Sequence, residues 1–579
     1  MKKKLQGLEG SKVFFVILLL FVIFFSLGTN IPNEHRRGFF SDESSYFSIT
    51  QSLAYDLDIK YRKEDISRIE ERFPAGPAGL YLKRGKDGEI TFAKPFIYPI
   101  FAAPFFRLLD TNGILLFNGL MLFFSILMGF LLLRQHHPEK QSLLLILVFV
   151  FASVCWIYTW WLTSDLFNFF TLFSALFFFF YKFKRASWFY LAGFFFAAFI
   201  MSKPTNLAAV GVIFLILLYR KEWKRFILLS LVCLIFLGGF VFFYYLQTGE
   251  VSYKLYYGGE RTAFYGRFPY ERPEFKFNAQ VKTTADDYWK RIHINPEIAA
   301  LNLFYYIFGR FTGMFIYFFP AFFLFIIFFM QRKTPEDWFI LAAILLSIVI
   351  ACVLFAADSY FGGSGSLGNR YFMNIFPLFF FLGFKNRLPR FSLVPVLAAA
   401  ILLAPTFMDA LFYSYRPRMA GVSFPINYFP VEKTQYPHIP TNENPHGRNR
   451  DIGGKYRLFF INDNFHALED EQFWTVGEKE LEMLLLAPGK VKKFSIFLYN
   501  NPVKNRVYLR VEHRKKRLGI GPAMTKRLDF EKIRGLKVAG GYLYHIGVKA
   551  DHAYCPFFAE ENNEDKRWLG INVHIELSY

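Results

Sequence analysis

The sequence is poor in cysteine and lacks the short motifs of several large enzyme and binding classes. Only four cysteines occur in 579 residues. Cys155, Cys233 and Cys352 lie inside apolar runs, and Cys555 stands alone in a polar tail, so we predict no disulfide framework. We find no zinc, P-loop or nucleic-acid motif. The formal net charge of +21 therefore does not indicate a nucleic-acid partner.

The sequence also lacks the amino-acid composition that is typical of a soluble protein. Hydrophobic residues make up 54% of the chain and aromatic residues 21%, with 78 phenylalanines. This composition predicts a polytopic membrane protein. After the lysines at 2–4, an apolar run at 13–27 is followed by no convincing cleavage site. We interpret this run as an uncleaved first transmembrane helix.

About 20 predominantly apolar residues are needed to cross a bilayer. Eleven candidate spans lie at 13–31, 113–133, 142–161, 166–181, 188–202, 204–219, 226–246, 312–330, 338–357, 372–384 and 391–408. If these spans alternate, the short basic loops all fall on one side, which the positive-inside rule assigns to the cytoplasm. We expect a multi-pass protein of the bacterial cytoplasmic (inner) membrane, with a cytoplasmic N-terminus and an extracytoplasmic tail.

The long polar connections fall on the outer side. We expect residues 1–410 to form a helical transmembrane domain, with outer loops at 32–94, 247–309 and 358–371. Residues 411–455 would be a linker, and 456–579 an extracytoplasmic β-rich domain. Short alternating runs in this tail, separated by turn signals, predict a β-sandwich.

An acidic pair, Asp42-Glu43, lies where the chain first leaves the membrane. A carboxylate at this place could act as a general base on an attacking hydroxyl. Acidic residues also favour the first turn of a helix, where they complement its dipole, and apolar residues recur at helical spacing over 46–57. The residues alone leave both interpretations open.

Other outer residues offer the same choice between a binding and a structural role. Lys94 and Lys203 each precede a proline and could bind a lipid phosphate or anchor the chain at the membrane surface. Asp165 could cap the helix that follows it, or help to hold a metal or a sugar. Arg310 is a weaker candidate for binding phosphate.

The Gly-rich stretch at 358–371 is the strongest of these patterns. Its four glycines would let backbone amides approach an anion. Arg370 follows them and could clamp a phosphate with two donors. The alternative is a flexible connection in which Arg370 is an interfacial anchor.

Three motifs resemble the GT-C class of integral-membrane glycosyltransferases, and more narrowly bacterial relatives of the protein O-mannosyltransferases and the lipid A aminoarabinose transferases. The motifs are the acidic pair, the stretch Lys94-Pro95-Phe96-Ile97-Tyr98-Pro99, and the stretch Gly368-Asn369-Arg370-Tyr371-Phe372 with Pro377 after it. The second is similar to Lys-Pro-Pro-x-Tyr, with Phe96 in place of the second proline. The third is similar to Arg-Tyr-x-x-x-x-x-Pro. The resemblance covers about residues 1–410, which would be the catalytic domain.

The resemblance implies inverting transfer of a sugar from a polyprenyl-phosphate donor to an acceptor hydroxyl at the outer membrane face. Asp42 would be the base, and cations would stabilise the leaving lipid phosphate. The expected site residues are Asp42 and Glu43 for catalysis; Lys94, Arg370, Lys203 and Arg310 for the donor phosphate; and Asp165, Asn369, Tyr371 and Tyr98 for substrate.

The expected partners are the lipid-linked sugar, membrane lipids and a glycan, lipid or protein acceptor. Some members of the class use a divalent metal and others none; Glu43 and Asp165 are the only ligand candidates.

A lipid-linked sugar flippase is the competing interpretation, and a non-catalytic anchor for the tail is a third. A transporter should show inverted repeats and charges at the membrane midplane. The absence of a repeat and the charges at outer helix ends favour the enzyme. An anchor would not need eleven spans.

Overall fold

The computed structural model divides the chain into two compact units. It describes residues 2–29, 42–71, 73, 80–84, 89–249, 260–264, 281–282, 295–354, 359–363, 365–385, 393–441 and 450–579. The first unit comprises Met1–Phe308, Thr312–Gly362 and Ser366–Tyr415, and the second Gly309–Phe311, Gly363–Gly365 and Arg416–Tyr579. Of the predicted outer loops, 32–41, most of 247–309, Asp358 and Ser364 lie outside the described residues.

The first unit is helical, as expected for apolar runs that must satisfy their own backbone groups in a lipid environment. Its helices are α1 Lys2–Gly28, α2 Asp42–Tyr55, α3 Lys63–Glu70, α4 Ile97–Leu109, α5 Thr111–Leu133, α6 Glu139–Phe151, α7 Asp165–Phe180, α8 Leu191–Ser202, α9 Leu207–Tyr219, α10 Trp223–Thr248, α11 Pro296–Phe308, α12 Met314–Tyr317, α13 Phe319–Met330, α14 Pro335–Val349, α15 Arg370–Phe381, α16 Val394–Leu402, α17 Ala404–Met408 and α18 Ala410–Tyr415.

Four helical stretches in the described part of the chain are long and apolar enough to cross a membrane. They are Gly10–Gly28, Thr111–Leu133, Trp223–Thr248 and Pro335–Val353. The pair Glu139–Phe151 and Val154–Trp160, bent by 64°, would make a fifth. Further apolar helices are shorter, between 10 and 17 residues. The membrane class is therefore confirmed, whereas the count of eleven spans is not.

The predicted span at 142–161 is interrupted because Ser153 begins a new helical segment. Ser153 has an extended backbone, and its Oγ accepts a hydrogen bond from the backbone N–H of Cys155 at 3.2 Å. A side chain that caps in this way competes with helix continuation. The 3₁₀ segment Val154–Trp160 follows, and it leads into the turn before α7.

Helix α2 lies in the interior of the first unit although half of its residues are polar. It packs against α4, and residues from Glu43 to Leu53 are all buried. Strands β1 Leu80–Arg84 and β2 Ile90–Phe92 pair antiparallel and form a hairpin. Strands β3 Glu260–Phe264 and β4 Val281–Lys282 extend this sheet in the order β2-β1-β3-β4.

The second unit contains two antiparallel sheets that share one hydrophobic core. The strands are β5 Arg450–Ile452, β6 Tyr456–Phe460, β7 Gln472–Val476, β8 Leu481–Ala487, β9 Lys493–Asn500, β10 Asn505–Val511, β11 Arg514–Ile520, β12 Thr525–Glu531, β13 Leu536–Val538, β14 Gly541–Ala550 and β15 Leu569–Ser578. One sheet has the order β11-β10-β14-β8-β6-β5, with β13 paired to β14, and the other the order β12-β9-β15-β7. The short helices α19 Pro417–Val422 and α20 Pro556–Ala559 complete the unit.

Alternating residues from both sheets fill this core, among them Met483, Leu485, Ile496 and Ile575, all nearly inaccessible to solvent. The arrangement is that of a β-sandwich. The prediction of a sheet-rich tail is therefore confirmed. The chain order alone does not reveal that β14 lies between β8 and β10, since these pairings join residues between 35 and 67 positions apart.

The close packing of α4 and α5 gives a testable prediction. A Cβ atom at Gly113 would lie 2.0 Å from the carbonyl oxygen of Phe105, and a backbone atom cannot move aside cheaply. We expect Gly113→Ala to destabilise the protein by about 2 kcal/mol or more, measured as a lower thermal unfolding midpoint in detergent.

The matched control is Gly239→Ala in α10, where a Cβ would have no described atom within 4 Å. Alanine is the better helix former, so this midpoint should stay equal or rise. Equal midpoints for the two variants would contradict the packing of α4 on α5.

Candidate functional site

Asp42 is held between two cations that come from distant parts of the chain. Its Oδ1 lies 2.6 Å from Lys94 Nζ, and its Oδ2 accepts a hydrogen bond from Arg370 Nη1 at 2.6 Å. All three side chains are less than one-fifth exposed. The attraction between buried charges at such distances is much stronger than that in a solvent-exposed ion pair. The structure thus brings together three residues that the sequence singled out separately.

Local structure explains why each side chain reaches this point. Asp42 begins α2. Lys94 follows the hairpin, which is fixed to α2 because Ser45 Oγ accepts a hydrogen bond from the backbone N–H of Tyr81 at 3.0 Å. The ammonium of Lys94 then lies 4.2 Å from the centre of the Tyr81 ring.

Arg370 is the first residue of α15. The side chain of Asn369 caps this helix by accepting hydrogen bonds from the backbone N–H groups of Tyr371 and Phe372, each at 3.0 Å. Asn369, which was predicted to bind substrate, therefore serves as the N-cap of α15. Its buried Nδ2 and the buried Nε of Arg370 have no hydrogen-bond partner among the described residues.

The two neighbouring carboxyl groups of α2 have opposite electrostatic environments. Burial alone would raise the pKa of Asp42, but the charges of Lys94 and Arg370 outweigh it and hold that pKa below its usual range. Burial, with a smaller contribution from the charge of Asp42, raises the pKa of Glu43 to about 8, although Glu43 Oε1 accepts a hydrogen bond from the backbone N–H of Leu162 at 3.2 Å. At neutral pH Asp42 is ionised and Glu43 is protonated.

A second ion pair lies beside the first. Lys203 Nζ is 2.8 Å from Asp165 Oδ1, and Asp165 Oδ2 accepts a hydrogen bond from Thr163 Oγ1 at 2.9 Å. The ring of Tyr371 joins the two pairs, since its centre lies 4.5 Å from Lys203 Nζ and 5.5 Å from the guanidinium carbon of Arg370. Asp165 also occupies the first turn of α7, where its charge complements the helix dipole. It does not cap this helix, because the N-cap residue is Ser164 and no side-chain cap hydrogen bond is present.

Trp161 was not predicted as a site residue, and Gly362 has a role other than the one expected of the Gly-rich stretch. Trp161 faces the guanidinium of Arg370, with the ring centre 5.6 Å from its carbon. Gly362 has a φ of +92°, and a Cβ there would lie 2.0 Å from Arg370 Nε. The Gly-rich stretch therefore contributes space for Arg370 at this position. A Trp-Trp pair next to an acidic turn was the one available hint for Trp161.

Tyr98 and Arg310, two further predicted site residues, have hydrogen-bond partners outside the two ion pairs. Tyr98 donates a hydrogen bond from its hydroxyl to Asn118 Oδ1 at 3.0 Å, between α4 and α5. Arg310 belongs to the second unit, where its guanidinium forms an ion pair with Glu482 and its Nε donates to the carbonyl oxygen of Phe429 at 2.9 Å. The binding roles predicted for both stay predictions.

Glu43 and Asp165, the two candidate metal ligands, do not form a ligand set in the described part of the chain. No group of three or more His, Cys, Asp or Glu side chains close enough to hold a metal ion occurs among those residues. Burial raises the pKa of Glu43, and Asp165 is engaged by Lys203 and Thr163. Divalent cations prefer several charged oxygen ligands, and among the described residues these two side chains alone do not supply such a set.

No protein-family model and no curated protein matches the sequence significantly. Among solved structures, ArnT from Cupriavidus metallidurans bound to undecaprenyl phosphate is 16% identical, with a TM-score of 0.42 over 69% of this chain and 65% of ArnT. The Archaeoglobus fulgidus oligosaccharyltransferase is 13% identical, with a TM-score of 0.34 over 69% of this chain and 56% of that protein. Arabinosyltransferase EmbB from Mycobacterium smegmatis is 11% identical, with a TM-score of 0.28 over 97% of this chain and 64% of EmbB.

All three neighbours are GT-C glycosyltransferases, so the resemblance predicted from the motifs is confirmed as a resemblance. The chain spans less than two-thirds of the length of each of them.

The raised pKa of Glu43 predicts a pH dependence of stability. Burial raises the pKa of Glu43 to about 8 in the folded protein, whereas in the unfolded chain this pKa is at its ordinary value of 4.5. The folded state therefore binds the additional proton over this range, and the free energy of unfolding falls as pH rises through it. Glu43→Gln removes this contribution.

Thermal unfolding midpoints of both proteins in detergent, from pH 5 to about pH 8.5, test the expectation. The midpoint of the natural protein should fall relative to that of the variant as pH rises. Parallel curves would mean that Glu43 is ionised in the folded state.

Proposed function

We propose that this protein is a membrane glycosyltransferase that moves a sugar from a polyprenyl-phosphate donor to an acceptor hydroxyl at the outer face of the cytoplasmic membrane. The observation that carries the proposal is the buried arrangement of Asp42 between Lys94 and Arg370, at 2.6 Å from each. It places a base next to two donors for an anion. A sugar linked through phosphate to a lipid needs both.

In this reaction the acceptor oxygen attacks the anomeric carbon, and a new glycosidic bond forms on the face opposite the leaving phosphate. The bond between the anomeric carbon and the phosphate oxygen breaks, and its electron pair leaves with the polyprenyl phosphate. Asp42 takes the acceptor proton as general base. Lys94 and Arg370 stabilise the charge that develops on the phosphate, in surroundings that water screens poorly.

The remaining residues have supporting roles in this proposal. The neutral carboxyl of Glu43 does not compete as a base at neutral pH. Lys203 adds a third cation beside the phosphate position, and Asp165 fixes its ammonium. The Arg370 Nε and Asn369 Nδ2 donors, unpaired among the described residues, are available to phosphate or sugar oxygens.

The competing proposal is a lipid-linked sugar flippase, which would need the same phosphate-binding cations. It would not need an ionised carboxylate directly between them. This difference makes Asp42 the residue whose substitution separates the two functions.

Removal of the proposed base, Asp42, gives a testable prediction. Asp42→Asn keeps the size of the side chain and leaves both cations free for phosphate. We expect kcat to fall about 10²–10⁴-fold, with donor binding retained or tightened. The assay follows release of radiolabelled sugar from pentosyl and hexosyl polyprenyl phosphates, to water or to lipid, glycan and protein acceptors.

The control is Asp56→Asn, which breaks a partly exposed ion pair with Arg68 near the C-terminal end of α2. Its rate should stay within about twofold of the natural protein, since such pairs contribute little. Equal transfer by Asp42→Asn would remove Asp42 as the base. Lipid scrambling in vesicles without transfer from any donor would favour the flippase.

The space beside Arg370 gives a second prediction. In Gly362→Ala the new methyl group would displace the Arg370 guanidinium, because a Cβ atom at this position would lie only 2.0 Å from Nε. We expect the affinity for undecaprenyl phosphate to fall about tenfold or more, as for loss of a hydrogen bond to a charged group. Native mass spectrometry in detergent measures this affinity.

The matched control is Gly363→Ala. Its φ of +97° is as unfavourable for alanine as that of Gly362, but a Cβ there meets no described atom within 4 Å. Both variants carry the same backbone strain, so only the contact with Arg370 differs. An equal loss of affinity in the two would mean that strain, and not displacement of Arg370, is responsible.

A further inference from the structure

One segment of the second unit carries a strong excess of positive charge. Between residues 503 and 550 there are thirteen Lys and Arg against three Asp and Glu, an excess of ten out of a net charge of +21. These residues lie in strands β10 to β14 and the turns between them. None of these strands is a membrane span, so the positive-inside rule does not account for this part of the charge.

Strand alternation places many of these cations on one face of the sheet. Val507, Leu509 and Val511 of β10 point into the core, so the residues between them point outward. The register carries this face across neighbouring strands, because Arg517 and Lys549 are both opposite Tyr508. The outward cations are Arg506, Arg510, Lys515, Arg517 and Lys549.

Most of this charge is not neutralised within the protein. Lys515, Arg517 and Lys549 are exposed and form no ion pair among the described residues. Arg517 packs its guanidinium over the ring of Tyr508, 4.9 Å from its centre. Arg506 is 4.0 Å from Asp551, at the limit of an ion pair. Arg510 is neutralised within the protein, since its Nη2 lies 3.6 Å from Glu480 Oε1 and 3.4 Å from Glu482 Oε1. The face therefore attracts anions.

The end of the sandwich next to this face carries exposed apolar side chains. Val503 is 39% exposed and Met524 is 56% exposed. They lie in two adjacent turns, which Asn500 joins because its Nδ2 donates to the carbonyl oxygens of Val503 at 2.7 Å and Gly521 at 2.9 Å. Lys504 is exposed beside them. We call these two turns the tip.

We propose that the cationic face and the tip dock on the surface of an anionic lipid bilayer. Clustered Lys and Arg side chains bind anionic headgroups, and small exposed apolar groups enter the region between headgroups and acyl chains. An acidic polysaccharide would match the cations equally well, but it would leave Val503 and Met524 in water. The apolar tip thus favours a bilayer as the partner.

The test uses the full-length protein in lipid nanodiscs that contain a phospholipid with a nitroxide on its headgroup. All four native cysteines are buried, so a cysteine introduced by Met524→Cys can be labelled selectively with bimane, itself an apolar group. Control protein carries the label through Lys490→Cys, an exposed position between β8 and β9 at the opposite end of the sandwich. Discs contain zwitterionic lipid alone or about one-third phosphatidylglycerol.

We expect quenching of the Met524→Cys label to be at least about twofold stronger in anionic than in zwitterionic discs, and to weaken as salt is added. The Lys490→Cys label should show little quenching in either. The triple variant Lys515→Glu, Arg517→Glu and Lys549→Glu, made in the Met524→Cys protein, should lose the increase. Because all three side chains are exposed, its thermal midpoint should match that of its parent.

Equal quenching at the two labelled positions would overturn the proposal, as would an increase that survives both the triple variant and high salt. Protection of the Met524→Cys label by soluble dextran sulfate, without quenching by anionic discs, would assign the face to an acidic polysaccharide and also overturn it. The salt titration decides the role of the cations even if the triple variant fails to fold.

Discussion

The buried carboxylate of Asp42 is the constraint on which the site depends. A carboxylate removed from water is costly unless cations and hydrogen bonds replace the lost hydration. Here the replacement comes from Lys94 and Arg370, which are 52 and 328 positions away along the chain. The hairpin before Lys94 and the capped start of α15 are therefore not independent features. Each must deliver its cation to the same point, or the carboxylate of α2 would have to take up a proton.

Neighbouring carboxyl groups on one helix acquire different roles because their surroundings differ. Asp42 faces two cations and stays ionised, whereas Glu43 faces the backbone of Leu162 and stays neutral at pH 7. Pairs of titratable groups whose environments separate their pKa values are a common basis for dividing acid and base work. The sequence Asp-Glu does not reveal which of the two is ionised. Only the positions of Lys94, Arg370 and Leu162 decide it.

The motifs identified most of the residues that meet at the site, because charged side chains at the ends of apolar segments are visible in a sequence. Alternating apolar residues and turn residues likewise predicted the sheet-rich tail, whereas the count of eleven spans is not confirmed. What escaped prediction depends on contacts between distant residues. Gly362 was expected to expose backbone amides to an anion, but its Cα lies against Arg370 Nε. The contact between Tyr81 and Lys94 and the pairing of β1 with β3 likewise leave no pattern in the neighbouring sequence that would predict them.

The charge balance of the described site argues for a phosphate-linked donor. With Glu43 neutral, the carboxylates of Asp42 and Asp165 face three cations, Lys94, Lys203 and Arg370, which leaves one positive charge in a poorly screened volume. A sugar attached to a lipid through a phosphodiester carries one negative charge and would cancel it. In the proposed reaction, the lipid phosphate can carry two negative charges after transfer, and Asp42 has taken up a proton. The sum is again close to zero, so neither substrate nor product would leave a net charge buried. An ionised Glu43 would upset this balance in both states, which gives the burial of that side chain a chemical reason.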